Sequence, residues 1–223
     1  MDLSRRSLLI SGAVAGLVGA AAVPASAATH PNDPLERLLA GNRRFVAGRA
    51  HHLHQSLDRL HEVAAGQHPF AVTIGCADSR VPPEVLFDQG LGDVFDNRVA
   101  GNIVDDLLLG SIEFAVEEFG CPLVVVLGHE RCGAISATVD AIESGGTAPG
   151  HIGAIVEALR PIVEPLAGGP GDVVEHGVRA NVVAQVAALT ARSELIAGHV
   201  AAGELRVVGA RYDLDTGRVT LLR

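Results

Sequence analysis

The sequence predicts an α/β fold: a mostly parallel central β-sheet flanked by helices, with an N-terminal helical arm. Three observations predict it. Two short, almost wholly apolar runs, Phe70–Gly75 and Leu123–Gly128, have the length of buried strands, and each runs into a turn. Segments with apolar residues at helical spacing alternate with them, as strand–helix–strand units require. A final pair of strand-like runs, Leu205–Tyr212 and Arg218–Leu222, brackets the turn signal Asp215-Thr216-Gly217.

Residues 1–27 read as an address rather than as structure. Ser4-Arg5-Arg6-Ser7-Leu8-Leu9 carries the paired arginines of a twin-arginine signal, an apolar stretch rich in Gly and Ala follows, and Ala25-Ser26-Ala27 is a small-residue cleavage site. The expectation is export by the twin-arginine route to the periplasm, cell envelope or exterior, with no stable membrane insertion after cleavage. Residues 28–223 are then one domain, long enough for a sizeable core.

Asp33-Pro34 opens a helix with Leu35, Leu38, Leu39 and Phe45 on one side. A polar, histidine-rich crossing follows, with a short helix around Leu57–Ala65. Phe70–Gly75 is the first strand, and Pro82-Pro83-Glu84 starts a helix. Asp93–Val99 is the next strand, closed by the turn Ala100-Gly101-Asn102. Asp105–Phe119 is helical, Leu123–Leu127 a strand and Ala134–Ser144 a helix that Gly145-Gly146 breaks. Gly168-Gly169-Pro170-Gly171 is a loop between helices, and Asn181–Ala201 reads as one long helix.

A formal net charge of −9 argues against nucleic acid as a partner. Three cysteines, Cys76, Cys121 and Cys132, make a poor disulfide set, since one is left over under any pairing. Cys121 reads as a small buried hydrophobe.

The other two belong to Cys76-Ala77-Asp78-Ser79-Arg80 and His129-Glu130-Arg131-Cys132, each placed just past an apolar run. Adjacent parallel strands would bring both to one edge of the sheet, where open α/β folds place their sites. Two thiolates and an imidazole bind zinc with a fourth position left open, and Asp78 can occupy that position as a ligand or leave it to water. Residues 76, 78 and 80 of an extended segment project to one side, so Arg80 can fork onto Asp78. His129 and Cys132, three apart at a helix start, can face one ion.

The chain resembles the β-class carbonic anhydrases. The resemblance rests on LLAGNRRF (38–45), GQHPFAVTIGCADSR (66–80), GDVFDNRVAGN (92–102), GHERCGA (128–134) and GARYDLDTGRV (209–219). It implies zinc held by Cys76, His129 and Cys132, with Asp78 and Arg80 as a catalytic dyad that gates the metal. It also implies reversible hydration of CO2 to bicarbonate by attack of zinc-bound hydroxide. Gln67 matches a glutamine that lines the substrate pocket in relatives, and the backbone at Gly133 would lie near bound bicarbonate. A homodimer or tetramer is implied too, with the first helix packing on the partner. A second, inhibitory bicarbonate site found in some relatives includes a tryptophan, and this chain has none.

Two other readings use the same residues. One is a hydrolase of carbon disulfide or carbonyl sulfide on the same metal, and the other is a closed structural zinc site with Asp78 as permanent fourth ligand. His51, His52 and His54 read as a solvated loop outside the site.

Overall fold

The computed structural model describes residues 33–222, so the export signal expected at 1–27 lies outside the described residues. No helix among those described is long and apolar enough to cross a membrane.

The sheet has five strands: β1 (Ala71–Gly75), β2 (Val94–Arg98), β3 (Leu123–His129), β4 (Arg206–Tyr212) and β5 (Val219–Leu222). Their spatial order is β2-β1-β3-β4-β5. The first four are mutually parallel and β5 returns antiparallel on β4. Strands β1 and β3 are buried along their whole length, because helices cover both faces. The register sets Gly75 beside Leu127, so Cys76 and His129 leave the same sheet edge between neighbouring strands. From β1 the chain moves outward to β2, then crosses back to β3 on the other side. That reversal opens the crevice in which such sheets hold their sites.

On one face lies α1 (Pro34–Val46), capped by Asp33, whose carboxylate accepts from the Leu35 N–H. Leu35 and Leu38 pack with Ala71, Leu86, Leu123 and Leu127, so α1 covers its own chain's sheet. The histidine-rich crossing is exposed as expected. It is nevertheless tied down, since buried Asp88 accepts from the His51 and His52 N–H groups, and buried Asp93 pairs with the His54 ring. The short α2 (Leu57–Val63) follows, and α3 (Pro83–Leu86) is a single turn.

The opposite face carries α4 (Asp106–Phe119), α5 (Gly133–Ser144), α6 (Ile152–Val163), α7 (Val173–Arg192) and α8 (Glu194–Ala202). The expected single helix over 181–201 is therefore two, and the first begins earlier. The break is at Ser193, whose backbone is extended and whose hydroxyl caps α8 by accepting from the Ile196 N–H. Helix α6, with Pro161 inside it, is an element the sequence reading left unassigned. On α7, Val182 and Leu189 are buried but Val183 faces solvent. Contact with the sheet is close at Gly128 and Gly209. A Cβ there would come within 2.5 and 2.7 Å of Val182, so both positions exclude any larger side chain.

Candidate metal centre

Cys76 follows the last residue of β1, His129 is the last residue of β3 and Cys132 is the N-cap of α5. His129 and Cys132 thus do not share a helix. They converge because Arg131 between them takes a left-handed φ of 52°, which turns the chain sharply into α5. That conformation costs a non-glycine residue of order 1 kcal/mol or more and persists only where surroundings hold it. Here Arg131 forks onto Asp215 at 3.0 and 2.7 Å, and Glu130 accepts from the Leu214 N–H at 3.0 Å. The turn after β4 thereby anchors the segment between the two ligands.

The two sulfurs and the imidazole lie within 4.8 Å of one another, and all three side chains are buried. A single ion with bonds of about 2.0–2.3 Å spans such a set with small side-chain adjustment. Two observations show the fit. His129 Nδ1 meets the Glu130 carbonyl at 2.9 Å, so it carries the proton and leaves Nε2 as a bare lone pair. That Nε2 is buried and has no hydrogen-bond partner among the described residues. A buried acceptor facing two thiols, with nothing to accept from, has the donor chemistry of a zinc ligand.

The two thiols are strongly coupled. A hydrogen bond from Cys132, aided by the Gly101 N–H and opposed by burial, pulls the Cys76 thiol down to about 4. The same contact, with burial, pushes Cys132 up, against the pull of the first-turn N–H groups of α5. The Gly101 N–H lies 3.4 Å from Cys76 Sγ. Cys121, apart from the site, is pushed up to about 11 by burial alone and donates to the Pro69 carbonyl.

Asp78 stands beside the cluster but is bound elsewhere. Arg80 donates Nε to Oδ1 at 2.9 Å and Nη2 to Oδ2 at 2.7 Å, and its backbone N–H also reaches Oδ1. Those bonds, first among them the guanidinium's, hold the Asp78 carboxyl well below the ordinary carboxylate range. Its Oδ2 is 3.9 Å from His129 Nε2. The Cys76–Arg80 loop itself is held by Arg98, which donates to the carbonyls of Cys76 and Asp78 at 3.0 and 2.5 Å. Arg98 was missed in the sequence. Its signal was the pairing of β1 with β2, which sets Gly75 opposite it.

Gly133 opens α5 beside Cys132, and a Cβ there would meet nothing within 4 Å, so its backbone faces open space. Gln67 is not brought to the cluster within this chain. It is exposed and lines a shallow cavity of about 330 Å³ with Gly66, Leu91 and Gly92. His51, His52 and His54 also stay outside the site.

A family model described as carbonic anhydrase matches residues 71–219. Carbonic anhydrase 2 of Mycobacterium tuberculosis is 46% identical over 195 residues, covering 86% of this chain and 93% of that protein. The β-carbonic anhydrase CafA of Aspergillus fumigatus superposes with a TM-score of 0.65 at 30% identity, covering 85% of this chain and 91% of its own. One of two tetrameric β-carbonic anhydrases of Sordaria macrospora gives a TM-score of 0.66 at 26% identity, over 84% and 96%.

Proposed function

This chain belongs to the β-class carbonic anhydrase family, and from that premise we propose that it interconverts CO2 and bicarbonate at a zinc held by Cys76, His129 and Cys132, with Asp78 and Arg80 as its gating dyad. The observation that carries the reading is the buried, unpartnered Nε2 of His129 facing two thiols. Zinc, when bound, supplies the Lewis acidity that makes water a nucleophile near neutral pH.

The residues supply the rest. Held below its ordinary range, Asp78 stays an acceptor-only carboxylate at working pH. It therefore orients a proton near the open position rather than removing one. Arg80 fixes that carboxylate with two parallel bonds and gives it a resting place away from the metal. With zinc bound, the same freedom would let Asp78 serve as a fourth ligand instead and close the site to water. Activity is then expected to rise through mildly alkaline pH as Asp78 is displaced. Gly133 offers a side-chain-free backbone at the start of α5, where a helix terminus favours an anion such as bicarbonate. Gln67 is proposed as a substrate-pocket residue in the assembled enzyme, because it lies apart from the cluster in one chain. The assembly proposed is a homodimer or tetramer, as in the tetrameric relative, working outside the cytoplasm after export.

Asp78 resting on Arg80 supports an open catalytic site over a closed structural one. Rates measured side by side on CO2, carbonyl sulfide and carbon disulfide test the substrate. The expected result is fast turnover of CO2, and turnover of the sulfur compounds alone would overturn the proposal.

A further inference from the structure

Helix α7 presses an otherwise apolar face onto the sheet, through Val178, Val182 and Leu189. Two amides interrupt that face one turn apart: Asn181 and Gln185, 1% and 6% exposed. Buried amides are costly unless every donor has somewhere to go. Here the bonds form one directed chain. The Val104 N–H donates to Gln185 Oε1 at 2.9 Å, Gln185 Nε2 donates to Asn181 Oδ1 at 2.9 Å, and Asn181 Nδ2 donates to the Gly101 carbonyl at 2.8 Å. Its direction is set at both ends, since a backbone N–H can only donate and a carbonyl can only accept. Neither amide can flip without breaking the chain.

Gly101 is the residue whose N–H faces Cys76 Sγ at 3.4 Å. Its φ of 77° is one that glycine adopts freely, and a Cβ there would press on Leu159 and Ala134 at 3.0 and 3.2 Å. Glycine's freedom alone would leave this turn loose. The Asn181 bond anchors its carbonyl, one peptide plane beyond its N–H, and so narrows the range in which that N–H can point.

We propose that Asn181 and Gln185 are positioning residues for the metal centre, acting through Gly101 to hold a hydrogen-bond donor on the Cys76 sulfur. The pair touches neither metal nor substrate. Its effect is on the electron density and orientation of one ligand, as outer-shell partners of metal ligands act generally. The inference rests on the zinc reading of the three-residue cluster.

The test uses the full metal-loaded protein and two readouts that a purely structural role would not move. These are zinc affinity by chelator competition and the thiolate-to-metal charge-transfer band of the cobalt(II)-substituted protein. Asn181→Asp keeps the side chain's size but sets an oxygen against the Gly101 carbonyl. It is expected to lower zinc affinity about 10- to 100-fold and to shift the band. Leu189→Ala, a cavity one turn beyond Gln185 that leaves every bond of the amide chain in place, is expected to lower Tm while leaving affinity and band as in the wild type. Should Asn181→Asp fail to fold, Gln185→Glu removes one donor and keeps the acceptor for Val104, with the same direction of effect expected. An aspartate or glutamate variant with wild-type affinity and band, or one changed no more than Leu189→Ala, would overturn the inference. A wild-type protein that takes up neither zinc nor cobalt would overturn the zinc reading beneath it.

Discussion

Asp78 Oδ2 stands 3.9 Å from His129 Nε2 although both oxygens of that carboxylate are forked by Arg80. The carboxylate is thus within a short side-chain movement of the metal position while bonded away from it. Asp78→Asn is expected to bind zinc as the wild type does and to lose about 100-fold in kcat, the scale on which a misoriented reacting group costs rate. Zinc content and stopped-flow rates on one preparation check it. Unchanged turnover would remove Asp78 from the mechanism.

Arg98 holds the ligand loop by its backbone, through the carbonyls of Cys76 and Asp78. Arg98→Ala should cost about 1 kcal/mol of stability for each bond lost. Because the loop carries both a proposed ligand and the proposed gating carboxylate, kcat should fall as well. Denaturant titration beside steady-state rates separates the two effects, and a variant with full activity would show the loop to be held without Arg98.

Gly128 precedes His129 where α7 rests on β3, and a Cβ there would lie 2.5 Å from Val182 Cγ2. Gly128→Ala is expected to destabilise by about 1–3 kcal/mol through overpacking. Trimming the opposing side chain should return much of that loss. In a double-mutant cycle, Gly128→Ala with Val182→Ala should therefore be more stable than the sum of the single changes. Simple additivity would place the strain elsewhere.

His199 on α8 bridges Glu117 of α4 at 2.7 Å and Glu204 at 2.8 Å. The bond to Glu117 first, then that to Glu204, raises its pKa above the ordinary 6.5. A raised pKa means the folded state holds the proton more tightly. The contribution is complete below about 6.5, the unfolded value, and is lost as pH rises through the raised folded value. The Tm of the wild type relative to His199→Gln should shrink toward zero from mildly acidic to alkaline pH. A difference that does not change with pH would contradict this.

The site was legible where local pattern fixed it. The runs Phe70–Gly75 and Leu123–Gly128 could only be buried strands, so Cys76 and His129 fell at one sheet edge, and the Cys-x-Asp-x-Arg spacing placed Asp78 on Arg80. What stayed hidden depends on contacts distant in sequence. The apolar pattern runs through Val186, Leu189 and Ile196 without glycine or proline, so only a serine cap marked the break between α7 and α8. Asn181 and Gln185 look like ordinary polar positions until the fold sets them beside Gly101 and Val104. Gln67 was drawn into the site by resemblance alone, and the fold of one chain leaves it in solvent.

The proposed function stands or falls on hydration of CO2 at the Cys76–His129–Cys132 metal. Stopped-flow hydration by the zinc-loaded protein, from mildly acidic to alkaline pH and beside Cys76→Ser, measures it. Fast turnover that climbs with pH and is lost in the variant is the expected result. Full zinc occupancy with no CO2 turnover at any pH, or equal turnover in Cys76→Ser, would contradict it.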